Sequence, residues 1–191
     1  MIQPRDIAIK LLSATALPDD RIFTDLSVPR YTKVDYYRMA CHAIFSCRRC
    51  GTCCTTGSPI RLRSEDVEMI ARHQRIPLTK AIKKYAVPDP DRPGVLDFKH
   101  DRPCKFYDPT IKGCKIYEAR PWSCRIFPFL GIYGSEDKVK VHESCPGSVE
   151  AMNSLMAALD EVRSKTGLSV PSDPEAVKRA KEWLRSFLNR L

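Results

Sequence analysis

The chain has 191 residues, 43% apolar and 29% charged, the composition of an ordinary globular protein rather than of a disordered tail. Only 8% is aromatic and the 15 prolines outnumber the 8 glycines, so the expected core is modest. The formal charge of +9 permits contact with nucleic acid or an acidic protein, although eight thiolates around two dipositive ions would lower it by about four.

Residues 1–20 carry Asp6 and Lys10 within their short apolar stretch, which is not the pattern of a signal peptide. The longest apolar-leaning run, Phe127 to Tyr133, falls far short of the roughly 18 residues needed to span a bilayer. The expectation is a soluble, cytoplasmic protein with no membrane partner.

Pro4 opens a stretch in which Ile7 with Leu11 and Ala8 with Leu12 stand four apart, which predicts a short helix. Leu17 to Tyr31 has no period and reads as a connector. Thr32 begins a Thr-x-x-Asp capping pattern ahead of Val34, Tyr37, Cys41 and Ile44, a second helical stripe on which Cys41 reads as a small buried hydrophobe. Cys47 to Gly57 is rich in cysteine, glycine and threonine and reads as a loop shaped by something other than an apolar core.

Ser64-Glu65-Asp66 predicts a helix start, with Val67, Ile70 and Ala71 inward until Pro77. Thr79 to Ala86 predicts another, with Ala81, Ile82 and Tyr85 on one side, closed by the proline-rich segment 88–93. Short extended pieces follow at Val95–Phe98, Lys105–Tyr107, Cys114–Tyr117 and Val139–Val141, enough for one or two small hairpins. Val149, Met152, Leu155, Met156, Leu159 and Val162 then predict a long helix ending at Gly167. Ser172-Asp173-Pro174-Glu175 reads as a capping box before Val177, Ala180, Trp183, Leu184, Phe187 and Leu191.

The densest signal is Cys47-x2-Cys50-x2-Cys53-Cys54, followed by Cys104, Cys114, Cys124 and Cys145. Eight cysteines make two sets of four, and four thiolates complete either a tetrahedral zinc site or the shell of an iron–sulfur cluster. Disulfides are disfavoured in a reducing compartment. A vicinal Cys53–Cys54 bridge is also poor, because trans-linked Cα atoms stand about 3.8 Å apart, below the usual disulfide range.

In an extended segment Cys53 and Cys54 would point to opposite sides and feed different centres, or one polynuclear one. One division puts Cys47, Cys50 and Cys53 with Cys145, which precedes a proline as ferredoxin fourth ligands do, and leaves Cys54, Cys104, Cys114 and Cys124 for a second centre. Around Cys124, Pro121 suits a helix start, which would lower the thiol pKa. Arg120 and Arg125 are candidates to bond cluster sulfurs or carboxylates, while Ile126, Phe127, Phe129 and Leu130 exclude water.

The cysteine string, the acid Glu65, and Gly113-Cys114-x-Ile-Tyr117-x-x-Arg120-Pro121-x-x-Cys124-Arg125-x-x-Pro128 with Cys145-Pro146 resemble the YkgJ-type cysteine-cluster family over roughly residues 47–147. That resemblance implies zinc or iron chelation, with Cys47, Cys50, Cys53, Cys54, Cys104, Cys114, Cys124 and Cys145 as ligands and Tyr117, Arg120 and Arg125 around them. It implies a reaction only weakly: some members are described as iron–sulfur oxidoreductases, and flagellin lysine N-methylase carries a similar motif. Residues 1–46 lie outside it and would be a helical extension to a 47–191 cysteine-cluster domain.

The histidines, His42, His73, His100 and His142, have no ligand partner at helical spacing, and His142 is the alternative ligand to test. No phosphate loop or radical-SAM cysteine order is present. Arg48, Arg49, Arg61 and Arg63 around the first cysteines, and Lys178, Arg179, Lys181 and Arg185 near the end, read as solvated faces, and nucleic acid is not the expected partner. The expected fold is a small, mostly helical α+β domain stapled by metal, with short hairpins and long C-terminal helices. The expected function is metal binding through an iron–sulfur centre, with an electron-transfer, redox or protein-modifying role and a protein partner. The alternative is a non-enzymatic zinc module that displays its basic surfaces to a protein or nucleic acid.

Overall fold

The structure, a computed structural model, describes residues 3–17, 31–56, 60–99, 103–130, 138–165 and 169–188. In chain order its elements are helices α1 (Pro4–Ala14), α2 (Lys33–Ile44) and α3 (Thr52–Thr55), strand β1 (Arg61–Leu62), helices α4 (Ser64–Gln74) and α5 (Leu78–Tyr85), and strands β2 (Ala86–Pro88), β3 (Leu96–Phe98), β4 (Tyr107–Asp108) and β5 (Gly113–Cys114). A 3-10 turn (Tyr117–Ala119) and helices α6 (Trp122–Ile126), α7 (Pro146–Ser164) and α8 (Pro174–Arg185) complete them. The fold is α+β and mostly helical, as the sequence implies. Among the described residues no helix is long and apolar enough to cross a membrane.

The chain forms two compact units, one of residues 1–46 with 128–191 and one of residues 47–127. The division at 46/47 falls where the cysteine pattern begins, but the segment from Pro128 onward groups with residues 1–46 instead of with the cysteine-rich middle. In the first unit α1 packs on α2, α7 and α8, and α2 on α7 and α8. The buried side chains Ile7, Leu11, Met39, Leu155, Leu159 and Leu184 fill the space between them. Fully burying side chains of this size stabilises by about 1.5–3 kcal/mol each before entropy is counted.

The helix starts follow local chemistry. Pro4 lies in the first turn of α1. Thr32 Oγ1 accepts the Asp35 N–H at 3.3 Å while Asp35 Oδ2 accepts the Thr32 N–H at 2.9 Å, the expected capping box. At α8 the cap is Asp173, not Ser172, and its Oδ1 accepts the Ala176 N–H at 2.9 Å.

The inward faces differ in detail from the periodic reading. On α2, Tyr36, Met39, Ala40 and Cys41 are buried while Val34, Tyr37 and Ile44 are half-buried, because three helices cover a face broader than one stripe. On α7, Met156 is 46% exposed and Ala151 and Ala158 take inward places, since small residues let the neighbouring helices approach. Gly167, Leu191 and connector residues 18–30 lie outside the described residues.

In the second unit β1, β3 and β2 form an antiparallel sheet in that order, with Leu62 opposite Leu96 and Ala86 opposite Phe98. The strands β1 and β2 are too short to show alternation in sequence. The segment Val139–Val141 belongs to the first unit and is irregular, not a strand. The β4–β5 hairpin pairs Tyr107 with Cys114 and turns through Lys112 at φ 45°.

The core packs Val67 and Ile70 of α4 and Ala81 and Tyr85 of α5 with Phe98, Phe106 and Ile116. The Tyr85 and Phe106 rings lie 5.0 Å apart and those of Phe98 and Phe106 5.6 Å apart. Ile82 is 42% exposed, contrary to its expected inward position, because α5 presents only the narrow face of Ala81 and Tyr85 to the core.

Candidate metal centre

None of the nine cysteines is in a disulfide. Cys41 is wholly buried in the first unit, the packing role its stripe predicts, and burial pushes its pKa up to about 12.

The first cysteine loop is shaped by two left-handed residues, Arg49 at φ 52° and Gly51 at φ 82°. The first brings the Arg49 N–H to 3.4 Å from Cys47 Sγ. At Gly51 a Cβ would stand 2.5 Å from the Tyr107 ring, so both the backbone and the ring require glycine. The Gly51 carbonyl then accepts the N–H groups of Cys54 and Thr55 at 2.9 and 3.1 Å and starts α3. Cys53 and Cys54 therefore stand about 100° apart on one helical turn, not on opposite sides of an extended segment.

The later cysteines come from separate elements. The Cys104 N–H donates to the Cys54 carbonyl at 2.8 Å, Cys114 ends β5, and Cys124 lies on α6. Cys104, Cys114 and Cys124 pack beside the apolar core.

A hydrogen bond with Cys53, then burial, then the charges of Cys53, Cys104 and Cys114 push the Cys54 pKa well above the thiol range. Burial raises Cys114, with Cys104 and Cys53 adding and Arg120 opposing. Cys124 is pushed up to about 12 by burial and by Cys53, Cys104 and Cys114. The lowered pKa expected there is reversed because burial and three sulfurs outweigh Arg120.

The structure thus places Cys53, Cys54, Cys104, Cys114 and Cys124 in one mutual field. Cys53, expected with Cys47 and Cys50, also stands in the field of Cys54, Cys114 and Cys124. Cys47 meets the Tyr117 hydroxyl, and Cys50 Sγ stands 3.5 Å from Thr52 Oγ1. Cys145 caps α7 in the first unit. His142 also belongs to that unit, where burial and Lys140 lower its pKa. His100 lies outside the described residues.

Of the surrounding residues, Tyr117 meets both Arg49 and Arg120, whose guanidinium carbons stand 4.5 and 3.6 Å from its ring centroid. Arg125 pairs with Asp66 at 3.5 Å. The buried acid at the start of α4 is Asp66, while Glu65, the acid of the family pattern, is exposed. Sequence reasoning missed Asp66 as anything beyond a helix-start residue; its signal was its place three residues after Arg63, the N-cap. Ile126 is buried in this unit as expected, but Phe129 packs on Phe45 in the first unit.

Among the described residues no three His, Cys, Asp or Glu side chains are drawn together closely enough to hold an ion as they stand. The donor chemistry nonetheless fits one. Five soft sulfurs share a field in which ionising any one disfavours the next, a repulsion that a bound cation reverses. Arg125 Nε is a buried donor with no hydrogen-bond partner among the described residues, next in sequence to Cys124. The residues that would hold the metal here include these five cysteines, with Arg120 offsetting negative charge at Cys114 and Cys124.

Residues 46–146 match the family described as "CxxCxxCC: Putative zinc- or iron-chelating domain", and the chain belongs to it. A curated relative, the uncharacterized protein MJ0661 of Methanocaldococcus jannaschii, is 32% identical over 85 residues, which is 44% of this chain and 44% of that protein. The chain thus spans less than half the length of that relative. No solved structure matches.

Proposed function

We propose that the second unit carries an iron–sulfur centre and that the protein serves electron transfer or a redox or protein-modifying reaction. Metal binding is supported by five thiols, from α3, the Cys104 segment, β5 and α6, that share one field. Four thiolates suit zinc and a cluster alike, and the observation that favours the cluster is the Cys47-x2-Cys50-x2-Cys53 spacing with the Cys145-Pro146 pair, as in ferredoxins. Once bound, such a centre supplies one-electron chemistry at a potential set by its surroundings. Nine cysteines without a disulfide fit a reducing compartment such as the cytoplasm.

A protein redox partner is favoured over nucleic acid. Of the basic residues of α8, Lys181 lies 5.8 Å from the Tyr36 ring and Arg185 6.0 Å from that of Tyr31, which supports a packing role for this helix.

Anaerobic purification with iron, sulfide and zinc quantified, followed by electron paramagnetic resonance after reduction, tests the reading. Coloured protein with comparable iron and sulfide and a signal on reduction is expected. Colourless protein with stoichiometric zinc overturns it in favour of a zinc module.

A further inference from the structure

Asp66 is 1% exposed, and a carboxylate so buried must have its oxygens satisfied. Its Oδ2 accepts the Arg63 N–H at 2.9 Å, closing the first turn of its own helix. Its Oδ1 accepts the Trp122 N–H at 2.7 Å across 56 residues of sequence, with Arg125 Nη2 3.5 Å away. Trp122 and Arg125 flank Cys124 on α6, a five-residue helix too short to hold its shape unaided.

Two more contacts join the same segments. The Arg63 guanidinium stands 3.5 Å from the Trp122 ring centroid, and the Ser123 hydroxyl donates to the Arg61 carbonyl. Residues 122, 123 and 125 are each tied to residues 61–66, and Cys124 is the untied residue among them.

We propose that Asp66 is the positioning residue for Cys124: by accepting the first N–H of α6 and pairing with Arg125, it aims that sulfur at the other four. The proposal rests on the metal-binding role of the grouped cysteines. Asp66 acts through the backbone of α6 and touches no metal itself.

The test is anaerobic alkylation of the full chain, as purified and after chelator stripping, read cysteine by cysteine by mass spectrometry. Asp66→Asn turns one acceptor into a donor, and Cys124 should alkylate about tenfold faster, the scale of one lost charge-assisted hydrogen bond. Cys114 should keep its wild-type rate, and Glu65→Gln should change nothing. Where circular dichroism finds D66N unfolded, Asp66→Glu keeps the charge and an acid at that position of α4, displaces the carboxylate by one methylene, and should raise the Cys124 rate alone.

A wild-type Cys124 rate in D66N, or in D66E if D66N does not fold, overturns the proposal. So does an equal rise at Cys104, Cys114 and Cys124, the mark of general loosening. Failure of the metal reading looks different: the chelator would alter no wild-type rate, and the stripped-protein rates would still decide the role of Asp66.

Discussion

The guanidinium of Arg120 lies 3.6 Å from the centre of the Tyr117 ring, and its Nε donates to the Tyr117 carbonyl oxygen at 2.8 Å. Arg49 faces the same ring, and the hydroxyl at its far end hydrogen-bonds Cys47. One tyrosine therefore joins two cations to a cysteine sulfur.

Tyr117→Phe keeps the ring that both guanidinium groups contact and removes only the hydroxyl. Thermal unfolding should shift by about 1 kcal/mol, with faster alkylation confined to Cys47. Tyr117→Ala also removes the ring and should lose about 1–2 kcal/mol more from the cation–π contacts. Equal melting of both variants would show that the ring contributes nothing.

Gly51 and Gly94 share φ 82° but differ in surroundings, since a Cβ at Gly94 would meet nothing within 4 Å. Gly94→Ala should therefore cost only the left-handed backbone term, about 1–2 kcal/mol in denaturant unfolding. Gly51→Ala must also displace the Tyr107 ring and should destabilise more, with loss of bound metal. Adding Tyr107→Ala to Gly51→Ala should recover part of that difference, which a double-mutant cycle measures.

Metal removal should act on one unit. The second unit combines a small aromatic core and the five grouped sulfurs with strands of two or three residues, whereas the first buries whole helix faces. Hydrogen exchange after chelation should speed at α3, β5 and α6 and remain slow in α1, α2, α7 and α8. Uniform acceleration across both units would contradict this.

Cys41 contributes a pH dependence to the first unit at alkaline pH. Its folded pKa, about 12, lies above the ordinary thiol value of 9.0 because burial disfavours the thiolate. The unfolded chain releases its proton first as pH rises, so the contribution is complete below about pH 9 and disappears as pH climbs towards about 12. Denaturant midpoints of the wild type should fall across that window, and Cys41→Ala should fall less steeply. Cys41→Ser, which buries a hydroxyl, should cost about 1–3 kcal/mol at neutral pH.

Much of the helical frame was legible. Thr32 with Asp35 starts α2, Pro4 starts α1, and the stripes through Leu11, Leu155 and Leu184 face the core. These signals lie within a few residues of one another, where capping geometry and helical period operate. Faces were read less well: Ile82 and Met156 turned outward because the number of covering helices, not the period, sets how wide a buried face is. Arg61–Leu62 and Ala86–Pro88 were missed as strands because two or three residues carry no alternation, and their pairing with β3 is made across tens of residues.

Residue order alone dictated how many soft donors the chain has, how they are spaced, and that Cys41 stands apart from them on an apolar stripe. Those are properties of side chains and of their near neighbours. Folding in three dimensions settled the rest: α3 turns Cys53 towards Cys54, the Cys104 amide meets the Cys54 carbonyl, and Asp66 captures the Trp122 amide. Which sulfurs share a field follows from burial and from hydrogen bonds between distant segments, and neither is written in local spacing.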